Sequence, residues 1–240
     1  MRIHRLDILS VFYATQKKGY PDRMNKKNPT FLKKYNHIWT LLYIAIYMPW
    51  FMWLEKTVTT EFHLVSMPVD YKIPFCEYFI IPYFMWFLFV PAIVGYEFFY
   101  SKKEYYQCCA YLFSGMTIFL IICTIWHNGL DLRQDISYNN NLCARLVKML
   151  YKTDTSTNVF PSLHVFNTLG CLVALYKSKG MKDKTWIKVI ATVIGILIIL
   201  STMFLKQHSV WDVIGAFALA AILYPIVYVI PWGRARQKEM

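Results

Sequence analysis

Charged side chains are too scarce in this chain to cover a soluble globule of its size. They make up 17% of the 240 residues, beside 57% hydrophobic and 18% aromatic, where soluble domains carry about 25% charged residues. Acids are the scarcer sign, 14 Asp and Glu against 26 Lys and Arg, for a formal net charge of +12. That excess does not point to nucleic acid, because the basic residues fall in short clusters between long apolar runs. No secretory signal is expected, since residues 1–37 are polar and basic with no uninterrupted apolar core. Cysteine supplies no metal framework, because no Cys-x-x-Cys pair occurs. Cys108, Cys109, Cys123 and Cys171 fall in apolar runs, where the thiol acts as a small apolar group. Cys76 and Cys143 lie where they could pair, with nothing that requires it. Internal repeats, and Asn-x-Ser/Thr acceptors with x other than proline, are also missing.

What is present is apolar sequence in bilayer-sized lengths. A helix needs roughly 20 apolar residues to cross ~30 Å of hydrocarbon. Six segments approach that length: 37–54, 76–99, 105–126, 161–176, 186–204 and 209–230. The first contains Pro49 and the second Pro82 and Pro91, which packed membrane helices tolerate. Alternating the ends puts nineteen basic residues on one side. The seven others, Lys56, Lys72, Arg133, Arg145, Lys148, Lys152 and Lys206, fall opposite. Basic residues favour the cytoplasmic side, so both termini are expected there, and an odd number of spans would break the asymmetry.

The expected fold class is therefore all-α, a polytopic membrane protein built as a six-transmembrane-helix bundle over residues 37–232. A basic N-terminal segment, 1–36, precedes it and a basic cytoplasmic tail, 233–240, follows. Ile3, Leu6, Leu9, Phe12 and Tyr13 recur at helical spacing, which suits either a helix lying on the membrane or a loosely ordered basic tail.

Chemistry-bearing residues concentrate in three places. Asn158-Val159-Phe160-Pro161-Ser162-Leu163-His164 opens the fourth span, where proline in a first helical turn and free N–H groups make an anion site or a plain capped helix start. Lys206-Gln207-His208-Ser209-Val210-Trp211-Asp212 enters the last span. His208 and Asp212, four apart, share one helical face. A carboxylate holding one imidazole nitrogen leaves the other free to attack. The third is the loop Trp126-His127-Asn128-Gly129-Leu130-Asp131-Leu132-Arg133, where the planar fork of Arg133 suits phosphate oxygens, although a loop arginine is more often solvated. The span count, made without reference to these residues, puts all three on the outer face.

Pro161-Ser162-Leu163-His164 together with Ser201-x6-His208-x3-Asp212 resembles the second and third signatures of the type 2 phosphatidic acid phosphatase superfamily. The resemblance implies a six-helix membrane core with its active site at the extracytoplasmic face, working on a membrane lipid phosphate without metal or other cofactor. It implies that His208 is the nucleophile that forms a phosphohistidine, that Asp212 orients it, and that His164 protonates the leaving oxygen and later activates water. Arg133, Ser162 and nearby N–H groups would hold the phosphoryl oxygens.

Three positions depart from the family pattern. Trp126 and Gln134 stand where the first signature has lysine and proline, and Thr202 stands where the third has arginine. Lys206 is a candidate replacement for one missing cation. Loss of that arginine, and the Phe-Pro-Ser-Leu-His form of the second motif, lean toward the branch resembling inositol phosphorylceramide and sphingomyelin synthases, in which the same histidines pass a headgroup to a lipid alcohol. Hydrolysis of a lipid phosphate is the favoured expectation, with headgroup transfer as the alternative. Two further readings are weighed: a membrane protein that binds lipid phosphate without turnover, and a metal held by His127, His164 and His208. The metal ranks low, because those histidines lack local ligand spacing. A plasma-membrane location is expected.

Overall fold

The computed structural model describes residues 35–58 and 61–231. The chain divides into the units Met1–Ile38 and Trp39–Met240, and the second holds the helices considered below. The surface helix expected near residues 3–13 and the tail 233–240 lie outside the described residues.

Seven α-helices, numbered over the described residues, follow in order: α1 Tyr43–Thr57, α2 Ile80–Tyr100, α3 Lys102–Ile125, α4 Leu142–Thr153, α5 Leu163–Lys177, α6 Thr185–Phe204 and α7 Val210–Tyr224. Short 3-10 turns extend α1 and α2 at their starts, and Pro225–Val229 continues α7 as a π-helical turn. Five of the resulting runs are long and apolar enough to cross a membrane: Asn36–Thr57, Glu77–Tyr100, Lys102–Ile125, Thr185–Phe204 and Val210–Val229. Each coincides with an expected span to within a few residues. Their outward faces carry large apolar side chains such as Leu88, Phe99, Ile125 and Trp186, each two-thirds or more exposed, a surface that demands lipid.

The fourth expected span forms α5, which has 15 residues and is about 22 Å long at 1.5 Å per residue. It falls short because α2, α3, α6 and α7 all pack around it. Val165, Phe166, Thr168, Gly170 and Cys171 are buried there. Gly115 of α3 lets the Phe166 ring sit directly on the α3 backbone. A Cβ at that position would lie 2.1 Å from two ring atoms, and the ring is stacked on Tyr111 with no free space to move into. Gly115→Ala is therefore expected to destabilise the detergent-solubilised protein by about 1–3 kcal/mol despite alanine's higher helix propensity. A melting temperature equal to or above that of the unmodified chain would contradict this.

Two elements depart from a purely helical bundle. His63–Leu64 pairs in parallel with Asn128–Gly129, forming β1 and β2. Between α3 and α5 lies α4, which hydropathy does not reveal because it buries only one stripe. Asn141 caps it through Oδ1, which accepts from the Ala144 N–H at 2.8 Å. Ala144, Val147 and Leu150, three residues apart, turn inward toward Ile80, Tyr83 and Leu205. Helix periodicity with a charged outer face fits an element lying across the end of the bundle rather than through it. Cys76 and Cys143 are free thiols.

Candidate active site

The two histidine motifs open neighbouring helices, and a backbone bond joins their starts. The Ser162 N–H donates to the Asp212 carbonyl at 3.1 Å. Ser162 is the N-cap of α5, its hydroxyl accepting from the Val165 N–H at 3.4 Å, and it is fully buried. Ser209 is the N-cap of α7 in a reciprocal capping box: its hydroxyl accepts from the first turn while the Asp212 carboxylate accepts from the Ser209 N–H at 2.9 Å. The box fixes the Asp212 rotamer. His208 stands just before that cap, and its Nδ1 lies 3.3 Å from Asp212 Oδ2. Nε2 is thus the imidazole nitrogen left for a substrate. The His164 ring is 5.7 Å from the His208 ring, centroid to centroid. Tyr83 and Trp86 of α2 flank it at 4.7 and 4.6 Å, and its Nε2 is buried without a partner.

Both histidines line one cavity of 370 Å³, within the range of small-molecule sites. Aromatic side chains of α1 and α2, among them Tyr47, Phe51, Trp86 and Phe87, form one wall. Glu55, Asp154, Asn158, Asn167 and Gln207 supply the polar part.

Asn128 shapes the loop that carries the second motif. Its Oδ1 accepts from the N–H groups of Val159 and Phe160 at 2.9 and 2.8 Å, and its carbonyl accepts from the Asn158 N–H at 2.7 Å. Asn158 adopts φ 56°, a left-handed conformation that asparagine tolerates better than most residues. Lys206 also has a positive φ, 55°, at the end of α6. The chain turns there so that the Gln207 and His208 N–H groups both donate to the Thr202 carbonyl. A second fixed point lies behind His208. The buried Asp70 carboxylate accepts from the Ser209 hydroxyl at 2.6 Å and from the N–H groups of Val210 at 2.8 Å and Met67 at 2.6 Å.

The structure brings His164, His208 and Asp212 together, and sets the three candidate phosphate ligands apart from the cavity wall. Arg133 donates to the carbonyls of Tyr151 and Thr155 at 3.0 and 2.7 Å and to Gln207 Oε1 at 2.9 Å. Lys206 Nζ donates to the carbonyls of Asp70 and Ile73, both at 2.6 Å. Burial lowers its pKa, with Asp70 opposing. Ser162 acts at the helix cap, and His127 is exposed and away from the wall.

The arginine still reaches the cavity at one remove. By holding Gln207 Oε1 it turns the amide, and Gln207 Nε2 is left without a partner on the cavity wall. Gln207→Ala is expected to raise KM for a phosphate ester about tenfold while altering kcat less, as loss of a hydrogen bond to a charged group would. An unchanged KM would remove Gln207 from substrate contact.

Asp154 is a half-buried acid, and its carboxylate accepts from the Tyr83 hydroxyl at 3.5 Å. Burial raises its pKa, Glu55 adds to the rise, and Arg133 and His208 oppose it. A carboxyl whose pKa rises on folding favours the folded state below its unfolded value, and that contribution is lost as pH rises through the raised value. Asp154→Asn is therefore expected to melt above the unmodified protein at neutral pH, the gap closing below about pH 4. A lower melting temperature at pH 7 would contradict this.

These features define a helical membrane protein with a histidine pair, one member oriented by a carboxylate, at the mouths of two adjacent helices. Residues 134–236 match the family model of the PAP2 superfamily. The matched stretch contains His164, His208 and Asp212 and begins immediately after Arg133. No curated protein and no solved structure matches the chain. Members of the superfamily are phosphatases or phosphotransferases acting on phosphate esters.

Sequence reasoning did not single out Asp70, Asn128, Gln207, Glu55 or Asp154. Asn128 and Gln207 lay inside two of the motif segments, adjacent to the residues chosen. Asp70, Glu55 and Asp154 sit in or beside loops, where an acid gives no signal until its partners are known.

Proposed function

We propose that this protein is a six-span membrane enzyme that cleaves a lipid phosphate ester through a phosphohistidine on His208, at the extracytoplasmic face of the plasma membrane. The carrying observation is His208, with Nδ1 against Asp212 and its ring 5.7 Å from that of His164, on one cavity wall. His208 Nε2 attacks phosphorus, and the bond to the leaving oxygen breaks as that oxygen takes a proton from His164. Water, deprotonated by His164, then attacks the phosphohistidine, freeing the phosphate and restoring His208. Gln207 Nε2 binds the phosphate in the ground and transition states alike, and the first-turn N–H groups of α5 stabilise the equatorial oxygens as charge develops, which is most of what phosphoryl transfer asks of a protein. The sixth span is α5, short because its neighbours enclose it. The basic-residue asymmetry supports cytoplasmic termini and an outer site.

The apolar wall formed by Tyr47, Phe51 and Phe119 favours a second reading, in which a lipid alcohol replaces water and receives the headgroup. Phosphate release from a panel of lipid phosphates by the purified protein, beside His208→Ala and with and without EDTA, tests the first reading. Release that persists in EDTA and disappears in the variant is expected. Headgroup transfer to an added lipid alcohol without phosphate release would replace it with the second. Phosphate release by His208→Ala at the unmodified rate would remove the phosphohistidine from both.

A further inference from the structure

The cavity around His208 is lined by carboxylates and contains no lysine or arginine among its described lining residues. Asp154 and Glu55 both face it, and Asp212 lies behind His208. The nearest guanidinium, Arg133, is bound to two carbonyls and Gln207. A phosphomonoester dianion placed there would meet acids of its own sign, and like charges repel.

Unpartnered acceptors accompany the acids. Asn158 Oδ1 and Asn167 Oδ1 have no hydrogen-bond partner, and each residue is only 5% exposed on the cavity wall. The orientation of Asn158 is fixed, because its Nδ2 donates to Glu55 Oε1 at 3.0 Å. Buried acceptors without donors cost free energy until a ligand satisfies them. The unpartnered donor Gln207 Nε2 lies on the wall beside His208. The wall therefore has a donor at the nucleophile and acceptors with negative charge elsewhere.

We propose that the cavity takes a phosphodiester whose headgroup carries a protonated amine, with the ammonium against Asp154, Glu55 and Asn158 and the phosphate against Gln207 and His208. This rests on the reading of His208 as the phosphate-reactive group and narrows its substrate from a phosphomonoester to a zwitterionic aminoalkyl phosphodiester. A primary ammonium is favoured over a quaternary one, because the acceptors call for N–H donors.

Equilibrium binding of short-chain phosphatidylethanolamine, phosphatidylcholine, phosphatidylglycerol and phosphatidate to the detergent-purified full chain tests this without turnover. The amine lipid is expected to bind roughly tenfold or more tightly than phosphatidylglycerol, as for a charge pair away from water. Phosphatidylcholine should fall between them. Asp154→Asn and Glu55→Gln should each lower the ethanolamine-to-glycerol preference severalfold. Binding of phosphatidylglycerol or phosphatidate at or above the level of the amine lipid would overturn the proposal, as would variants that weaken all four lipids equally. Turnover measured in parallel separates the two readings. His208-dependent phosphate release from phosphatidate, faster than cleavage of the amine lipid, leaves the phosphohistidine standing and removes this substrate. Amine selectivity in binding, with no lipid cleaved, keeps the ammonium site and removes the enzyme.

Discussion

Replacing His208 with alanine is expected to reduce lipid-phosphate turnover by about 10⁴-fold or more, to the level of the uncatalysed background, because the attacking atom itself is removed. The fold should survive. Asp212 keeps its bond from the Ser209 N–H at 2.9 Å, so the α7 cap does not depend on the imidazole. A melting curve close to that of the unmodified protein, beside lost activity, is the expected pair of results. Asp212→Asn tests the same pair from the other side. The amide is isosteric with the carboxylate but uncharged, and it no longer favours the tautomer that leaves Nε2 unprotonated. A loss of roughly 10³–10⁴-fold in kcat is expected, as for other carboxylate-oriented histidines. Activity within tenfold of normal in either variant would mean that the histidine and carboxylate are paired for structure alone.

The second large effect is expected at Asp70, which no motif contains. It is 2% exposed and accepts three hydrogen bonds, from Met67, Ser209 and Val210, at 2.6, 2.6 and 2.8 Å. Its carboxylate also lies at the N-terminus of α7, where negative charge is favoured. Asp70→Ala would leave one buried and two half-buried donors without their acceptor, so a loss of about 2–4 kcal/mol is expected. Asn is a poor rescue, because donors approach both carboxylate oxygens and the amide would turn its NH2 toward one of them. Both variants should melt lower in detergent. Residual folded Asp70→Asn should turn over more slowly, since Ser209 immediately follows His208. Unaltered melting in Asp70→Ala would show that the loop holding Asp70 is not coupled to α7.

Much of this architecture can be read along the chain. The spans at 76–99, 105–126 and 186–204 match α2, α3 and α6 closely, because in hydrocarbon every backbone polar group must be satisfied within the segment. The spacing of four brought His208 and Asp212 together as expected, but not along a helical face: His208 stands outside α7, just before its N-cap, and the contact forms across the capping box. Other features could not be read this way. α4 has no apolar run, only a stripe at helical spacing. Lys206 sits two residues before His208 and looks like a phosphate ligand, yet the left-handed turn at the end of α6 sends its ammonium to the carbonyls of Asp70 and Ile73. Arg133 likewise acts on the loop carbonyls and on Gln207.

Local sequence determined the apolar runs, the helix starts at Ser162 and Ser209, and the histidine–aspartate pair, because each depends on contacts within a few residues. Only the tertiary structure decided which charges face the cavity. Asp154 and Glu55 are 99 positions apart in the chain, and they meet on one wall because α1 ends where α4 ends and α5 begins. The direction of a long basic side chain is likewise set by whichever buried carbonyls lie within its reach, and those come from segments distant in sequence.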